Sequence, residues 1–385
     1  MKSEWTVKKL SEIADFNPRE SLPKGKKAKK VGMDKLQPFC RDILSYEMET
    51  FTGGTKFRNG DTIMARITPC LENGKTAKVD ILDDDEIGFG STEYMVFRAN
   101  AGVDEDYLYY LVCSSIIREP AIKSMVGSSG RQRVQTDVIQ NLEIAVPSYE
   151  EQRLIGKFLR NLDDKIKINN KINKNLFDLA QELYKNRYVD LLPFNGEIPD
   201  DWHLGMVSEI IDLHDSKRIP LSNRERAELD KIYPYYGATS VMDYVDKYIF
   251  DGIYLLLGED GTVVDSKGFP ILQYVEGKFW VNNHAHILTG KNGFSVELLY
   301  LLFSLTNVQS IVTGAVQPKI SQANLKNISI VIPSESELNE FDAIIQPIFA
   351  QIRTLRNENN KLISLRDTLL PKLMSGEIDV STIDI

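Results

Sequence analysis

Two glycine-rich segments carry side chains that could recognise a nucleic acid. Their polar members are Arg131 and Arg133 in residues 127–134, and Gln317 and Lys319 in residues 314–320. An arginine can form paired hydrogen bonds with guanine or with a phosphate, a glutamine can do so with adenine, and a lysine supplies a point charge for phosphate. Each segment lies between a helical pattern and an apolar run, so the alternative is a loop that only connects two elements. We predict that both segments contact DNA.

Other cations could follow a phosphate backbone. The candidates are Lys26, Lys27 and Lys29 in a dense basic run, Arg66 beside a predicted strand, and Lys217, Arg218, Arg224 and Arg226 in the second half. The alternative for each is a solvated surface side chain. The net charge is −9 for the whole chain, but −2 for residues 1–150, +3 for 151–192 and −10 for 193–385. Phosphate binding by the second half therefore requires positive charge concentrated on one face.

Catalytic and metal-binding patterns are weak. His284 and His286 have the spacing of two ligands on one strand face, but no third ligand stands at a suitable spacing, and Glu93 and Met95 occupy the corresponding positions of the first half. We predict no metal site and no catalytic residues. The chain lacks the Asn/Asp-Pro-Pro-aromatic tetrad of amino-methyltransferases and the Pro-Asp…Asp/Glu-x-Lys pattern of nucleases. A methyltransferase or nuclease, and a structural adaptor that holds protein partners, remain the alternatives.

The landmarks of the sequence occur twice, about half its length apart. Glu4-Trp5 is matched by Asp201-Trp202, a shift of 197 residues, and the stretch ending in Pro147-Ser148 is matched by the stretch ending in Pro333-Ser334, a shift of 186. Runs of strand type are Thr62–Ile67, Tyr94–Phe97, Ile253–Leu257, Ile271–Val275 and Ala285–Leu288. The sequence predicts an α+β fold with internal duplication and pseudo-twofold symmetry. Its parts are a domain at residues 1–150, a long helix at 151–192, a second domain at 193–333, and a second long helix with a tail at 334–385.

Both long helices carry the four-and-three spacing of a coiled-coil seam. The first seam is Ile155, Leu159, Leu162, Ile166, Asn169, Asn173, Leu176, Ala180 and Leu183. Adding 186 to these positions gives Phe341, Ile345, Ile348, Ile352, Leu355, Asn359, Leu362, Arg366 and Leu369. We predict that the two helices pack antiparallel in a coiled coil, with Asn173 and Asn359 fixing the register. The alternative is two unrelated amphipathic helices, and Pro347 should kink or interrupt the second.

The predicted helices are long enough to act as a spacer. About 38 helical residues span about 57 Å, or about one and a half turns of B-DNA. Two different domains held apart by a rigid spacer predict a target in two blocks with an unread gap of fixed length. The absence of an apolar run of bilayer length and of a secretory signal, together with the scattered Cys40, Cys70 and Cys113, predicts a cytoplasmic protein with reduced thiols.

These residues resemble the DNA-specificity (S) subunits of type I restriction-modification systems. The resemblance rests on the Trp5 and Trp202 openings, residues 67–75 (ITPCLENGK), residues 282–286 (NNHAH), the Pro147 and Pro333 junctions into long helices, and residues 370–378 (LPKLMSGEI). It covers the whole chain. The resemblance implies two target-recognition domains, each of which reads one half of an asymmetric site in double-stranded DNA.

The resemblance also implies partners and the location of the chemistry. Two methyltransferase (M) subunits would dock on the helices, bind S-adenosylmethionine and methylate adenine. A restriction (R) subunit, if present, would use ATP and Mg. No cofactor is expected on this chain.

Overall fold

The computed structural model of the protein describes residues 5–128, 130–314 and 316–380, which form two compact units. Unit 1 contains the chain up to Asn169 and from Glu358 onward, and unit 2 contains Asn170–Asn357. We call residues 5–148 of unit 1 head 1, and residues 190–334 of unit 2 head 2. Glu4, Ser129 and Ala315, which belong to the motifs above, lie outside the described residues.

Head 1 is built from ten short strands and four helices among its described residues. The strands are β1 (Thr6–Lys9), β2 (Ala14–Phe16), β3 (Lys27–Val31), β4 (Glu47–Thr50), β5 (Thr55–Phe57), β6 (Thr62–Ala65), β7 (Thr76–Lys78), β8 (Gly88–Gly90), β9 (Tyr94–Ala99) and β10 (Glu143–Val146). The helices are α1 (Leu10–Ile13), α2 (Glu105–Cys113), α3 (Ser115–Lys123) and α4 (Thr136–Gln140). The strands form two four-stranded sheets, in the orders β2-β9-β6-β7 and β4-β3-β8-β5, and β1 pairs with β10.

The first long helix, α5 (Tyr149–Tyr184), begins in unit 1 and continues into unit 2. A π-helical segment, Lys185–Val189, follows it. The strands of head 2 are β11 (His203–Met206), β12 (Ile211–Leu213), β13 (Tyr233–Tyr236), β14 (Val241–Val245), β15 (Phe250–Gly258), β16 (Leu272–Val281), β17 (Ala285–Gly290) and β18 (Ser329–Ile332). Its helices are α6 (Asn223–Ala227), α7 (Val296–Leu305) and α8 (Gln322–Lys326), and the second long helix is α9 (Glu335–Met374).

The two heads share a frame and differ in their middle parts. The order β12-β17-β15-β16 in head 2 corresponds to β2-β9-β6-β7 in head 1, but head 2 extends the same sheet with β13 and β14, whereas head 1 builds a separate second sheet. In both heads an antiparallel two-stranded ribbon joins the start and the end, with Thr6 opposite Val146 and His203 opposite Ile332. The predicted α+β fold with an internal duplication is confirmed.

Segments of the long helices pack antiparallel within each unit, as predicted. In unit 1, Asp163 pairs with Arg366 while the later Asn169 pairs with the earlier Asn359. In unit 2, rings from the two helices are in contact at Tyr184 and Phe341, with centroids 6.0 Å apart. All predicted seam residues are buried or half-buried, because an apolar face with this period gains free energy by leaving water.

Arg366 is the charged residue in the predicted seam, and its burial is explained by an acidic partner on the other helix. Its guanidinium donates to the buried carboxylate of Asp163 at 2.6 Å, and the Tyr110 hydroxyl of α2 donates to the same carboxylate at 2.5 Å. The repeat has Phe349 and Ala180 at the positions corresponding to Asp163 and Arg366, and both are buried. An ionic contact in one copy therefore stands where the other copy has apolar side chains.

The two asparagines chosen for register have different environments. The Asn359 carbonyl accepts a hydrogen bond of 2.9 Å from the Asn169 amide, which also donates to Glu358 at 2.8 Å. The Oδ1 atom of Asn173 is buried and has no hydrogen-bond partner among the described residues. The role of Asn173 and Asn359 in fixing the register stays a prediction, and Asn169, the partner of Asn359, is a further candidate for that role.

Of the predicted kink or interruption at Pro347, the interruption is wrong, since α9 runs unbroken from Glu335 to Met374, and the kink stays a prediction. Pro347 lies on the exposed side of the helix, where water can hydrate the carbonyl that loses its amide partner. Within the described residues, no helix combines the length and apolar character that a bilayer span requires.

Candidate nucleic-acid interface

The first glycine-rich segment forms a hairpin at the end of β6. We call residues 126–133 hairpin 1, of which Ser129 is not described. Val126 and Arg133 exchange backbone hydrogen bonds of 3.0 and 2.9 Å, which close the hairpin. The chain then runs beside the residues that follow β6, because the amide of Val134 donates to the Arg66 carbonyl at 2.9 Å. The base of the hairpin is thereby attached to the chain that leaves the β2-β9-β6-β7 sheet.

The second segment forms the same structure in head 2. We call residues 313–319 hairpin 2, of which Ala315 is not described. Thr313 and Lys319 exchange backbone hydrogen bonds of 2.9 and 2.7 Å, and the amide of Ile320 donates to the Glu259 carbonyl at 2.9 Å. These bonds follow the pattern of hairpin 1, although hairpin 2 is one residue shorter, so Lys319 corresponds to Arg133 and Glu259 to Arg66. A shared backbone frame thus presents different side chains.

Hairpin 1 offers one unpaired arginine and one paired arginine. Arg131 is exposed and has no ion pair or side-chain hydrogen bond among the described residues. Arg133 forms a bidentate contact with Glu93, with nitrogen–oxygen distances of 2.6 and 2.9 Å. The hydrogen bonds from Arg133 hold the pKa of Glu93 below its ordinary value. Arg131 is therefore free to meet a ligand, whereas Arg133 must exchange a carboxylate for a phosphate or base before it can do so.

Hairpin 2 repeats this division with different groups. Gln317 is exposed, whereas the Lys319 ammonium lies 3.1 Å from the Glu259 carboxylate. The backbone bonds also show that Glu93 in head 1 corresponds to His284 in head 2. The Glu93 carbonyl accepts the Arg66 amide, and the His284 carbonyl accepts the Glu259 amide. The acid that pairs with the hairpin cation is therefore Glu93, just before β9, in head 1, and Glu259, just after β15, in head 2. These acids, and the 99% exposed Val316, were not predicted from the sequence.

Behind hairpin 2 lies a buried ionic network around His286. Its Nδ1 is 2.6 Å from Asp215 and its Nε2 is 2.8 Å from the Ile320 carbonyl, so both ring nitrogens face acceptors and must donate. Burial raises the pKa of Asp215, but the hydrogen bond and charge of His286, the Ile287 amide and the charge of Arg218 together bring the pKa below its ordinary value. Arg218 also joins the network through Asp215 and Glu259.

This network includes three groups that could ligate a metal, Asp215, Glu259 and His286, with donor atoms within 4.8 Å of one another. The fold brings these carboxylates to His286, a proximity that the sequence spacing did not reveal. Arg218 already supplies a cation to both carboxylates, and both ring nitrogens of His286 have protein partners, so a metal ion would have to displace all of these contacts. The donor set therefore fits a salt-bridge network that supports hairpin 2, and it does not fit a metal centre.

Three of the predicted phosphate-binding cations are wrongly placed for that task. Lys29 is buried and lies 3.0 Å from Asp83 and 2.9 Å from Glu86. Arg218 is held in the network behind hairpin 2, and Arg226 is 6% exposed with its guanidinium 4.8 Å from the Tyr235 ring centroid. The sequence showed clusters of basic residues in these segments, but the acids that pair with Lys29 and Arg218 come from distant parts of the sequence.

The remaining candidates are accessible to a ligand. Lys26, Lys27, Lys217 and Arg224 are exposed and form no ion pair among the described residues. Arg66 is half-buried, and its guanidinium donates to the Val134 carbonyl at 3.4 Å. DNA contact by these side chains, by Arg131 and Arg133, and by Gln317 and Lys319 stays a prediction.

Lys29 and Lys27 should respond differently to the same change. We expect Lys29→Gln to lower the melting temperature, because Asp83 and Glu86 lose their partner, and to leave DNA affinity unchanged. Lys27→Gln is the matched variant on the same strand, and it should leave the melting temperature unchanged. Thermal melts and DNA titrations of both proteins check this, and weaker DNA binding by well-folded Lys29→Gln would contradict the assignment.

Comparison with known proteins agrees with the duplicated frame. A family model, the type I restriction modification DNA specificity domain, matches residues 2–177 and again residues 199–364. The chain is 27% identical over 306 residues to the type I restriction enzyme MjaIX specificity subunit of Methanocaldococcus jannaschii, covering 72% of this chain and 70% of that protein. It is also 20% identical, over an alignment of 413 positions, to the type I restriction enzyme HindI specificity subunit of Haemophilus influenzae, covering 83% of this chain and 87% of that protein.

The fold has a counterpart among solved structures. The S subunit of a type I restriction-modification system from M. genitalium gives a TM-score of 0.54 at 16% identity, with 96% of each chain covered. This likeness concerns the fold alone, whereas the family model covers most of the sequence. The resemblance predicted from the sequence is confirmed: the chain belongs to the type I restriction-modification DNA specificity family, as a non-catalytic specificity subunit.

Proposed function

We propose that this subunit reads a bipartite, asymmetric site in double-stranded DNA, with hairpin 1 at one block and hairpin 2 at the other. The observation that carries the proposal is the pair of hairpins with the same backbone bonds and different tips, Arg131 in one and Gln317 in the other. A shared frame places each tip equivalently in its head, and different donors and acceptors select different bases. Two unlike readers require a site whose halves differ.

The proposal extends to partners and to the place of catalysis. Two methyltransferase subunits would bind this chain, and they would supply S-adenosylmethionine and the adenine-methylating chemistry. A restriction subunit, if the system has one, would supply ATP- and Mg-dependent cleavage. This chain would hold no cofactor of its own and would work in the cytoplasm, where its DNA target lies.

A map of methylated adenines in the host genome tests the proposal. We expect that deletion of the gene abolishes methylation at one motif, and that this motif has two different blocks separated by a gap of constant length. Complementation with the gene should restore the motif. Loss of a continuous motif, or no loss in a strain with an intact methyltransferase, would contradict bipartite reading.

The rival functions make different predictions. A methyltransferase would bind S-adenosylmethionine as an isolated chain, and we expect calorimetry to detect no binding. A purely structural adaptor would assemble with its protein partners and leave their affinity for DNA unchanged. We expect the assembled complex to bind duplex DNA with an affinity that falls steeply with salt.

A further inference from the structure

Head 1 contains a polar groove that the sequence did not reveal. It has a volume of about 450 Å³ and lies among the turn after β2, the start of β5 and the residues that flank the β6–β9 pair. The lining includes three cations, Arg19, Lys56 and Arg66, together with the hydrogen-bonding side chains of Thr55 and Thr92. Such a lining is suited to an anionic ligand with several oxygen acceptors.

The cations of this groove form no ion pair with the described residues. Arg19, Lys56 and Arg66 have no carboxylate within 4.0 Å among the described residues, and the Nε of Arg66 is buried without an acceptor. The acid in the lining, Glu20, is 2.6 Å from Arg98. Lys56 donates only to the Glu20 backbone carbonyl, at 2.5 Å.

The exposed lysines of β3 and the preceding turn continue this positive surface. The Lys56 ammonium lies 5.6 Å from the centroid of the Phe51 ring, and the amide of Phe51 donates to the Lys26 carbonyl at 2.8 Å. Lys26 and Lys27 are both exposed without an ion pair among the described residues. The Lys26 backbone therefore lies beside Phe51, whose ring faces Lys56, and this brings two further exposed lysines into the neighbourhood of the groove.

The other end of the groove meets hairpin 1. Arg66 lines the groove, and its carbonyl accepts the amide of Val134, the residue immediately after that hairpin. A ligand held in the groove therefore lies beside the segment that carries Arg131. Head 2 has no counterpart at this point, because Glu259 replaces Arg66 and is engaged by Arg218 and Lys319.

We propose that this groove, with Lys26 and Lys27, binds the phosphodiester backbone of the DNA half-site that hairpin 1 reads. The inference rests on the proposed function, because it takes duplex DNA as the ligand. Arg19, Lys56 and Arg66 contact phosphate oxygens, and Arg131 contacts base edges. Phosphate contacts fix the position of the duplex and release counterions, whereas base contacts determine the preferred sequence.

The salt dependence of binding to a non-specific duplex tests the phosphate contacts without knowledge of the recognised sequence. The protein is assembled with its methyltransferase subunits, and its affinity for a labelled random-sequence duplex is measured over a salt series. We expect Arg19→Gln with Lys56→Gln to reduce the slope of log K against log salt by about 1.8, since each lost phosphate contact contributes about 0.9. The charge-preserving pair Arg19→Lys with Lys56→Arg should keep the slope.

A control pair removes the same charge elsewhere in unit 1. Lys8→Gln with Lys123→Gln alters exposed cations on β1 and α3, and should leave the slope unchanged. If the groove pair behaves like this control while the wild-type complex still prefers its methylated motif, the groove proposal falls and the proposed function stands. A changed base preference in the groove pair would also overturn phosphate binding. A wild-type complex without any sequence preference would overturn the proposed function itself.

Discussion

Replacing Arg131 by alanine is expected to abolish discrimination at one base pair in one half of the recognised site. The side chain is exposed at the tip of hairpin 1 and has no competing partner among the described residues, so a base-edge contact would be its main interaction. The loss of one good bidentate contact corresponds to about 1–3 kcal/mol, or about 5- to 150-fold in binding. The measurement is methylation of sites in which each base pair has been substituted in turn.

The matched change is Gln317→Ala at the tip of hairpin 2. It should relax a base pair in the opposite half-site and leave the half read by Arg131 intact. Arg133→Ala is expected to have a smaller effect on base preference, because its guanidinium already holds Glu93. Equal loss of preference at both halves after Arg131→Ala would show that the hairpins do not act independently, and would contradict the assignment.

Replacing Asp163 by alanine is expected to lower the free energy of unfolding of unit 1 by about 3–5 kcal/mol. The change leaves the buried Arg366 guanidinium without this partner and removes the acceptor of the Tyr110 hydroxyl. The Arg366 guanidinium then keeps only the largely exposed Asp367, 2.8 Å away, as an acidic partner among the described residues. A charge that loses its buried counter-charge is costly because it has exchanged water for an apolar environment. Urea unfolding followed by the fluorescence of Trp5 measures this, with Trp202 and Trp280 replaced by phenylalanine in every protein compared.

The internal repeat supplies the compensating variant. Asp163→Phe, Arg366→Ala and Tyr110→Phe together introduce the apolar pair found at Phe349 and Ala180, and remove the orphaned hydroxyl. This triple variant should recover most of the lost stability, because apolar packing can replace a buried ion pair. Glu150→Ala is the exposed control on the same helix and in the same unit, and it should change stability by less than about 1 kcal/mol. A stable Asp163→Ala protein would contradict the role assigned to the ionic contact.

The elements of the fold were predictable because their signals are local. Apolar runs bounded by turn residues marked β6 and β15, and the four-and-three spacing marked the buried face of each long helix. The positions of the two glycine-rich loops were also predictable, since glycine after a helical pattern indicates a loop, but their hairpin pairing was not. The repeat then showed that the same elements occur in both halves, which is enough to predict two similar heads.

The pairing of charges was not predictable, because it depends on contacts between distant residues. Lys29 meets Asp83 more than fifty positions away, and Arg218 meets Glu259 about forty positions away. The basic run and the basic segment of head 2 therefore contributed fewer free cations than their composition indicated. Arg19 and Lys56 were missed for the same reason, since each is isolated in the sequence and only the folded chain brings them to one groove.

The acid and the base beside each hairpin occupy opposite positions in the two heads: Arg66 and Glu93 in head 1 correspond to Glu259 and His284 in head 2. This difference restricts how new specificities can arise by recombination between the heads. Consider a crossover between the two heads in the segment from β6 to β9 of head 1 and from β15 to β17 of head 2. One product would combine Arg66 with His284 and hairpin 2, so that Lys319 would lie beside two basic residues. The reciprocal product would combine Glu259 and Glu93, so that Arg133 would lie beside two acids. Inheritance of a head as one block, with breakpoints near Pro147 and Pro333, keeps each cation with its own acid. We therefore expect gene conversion within a head to be selected against, and exchange of whole heads to preserve these ion pairs.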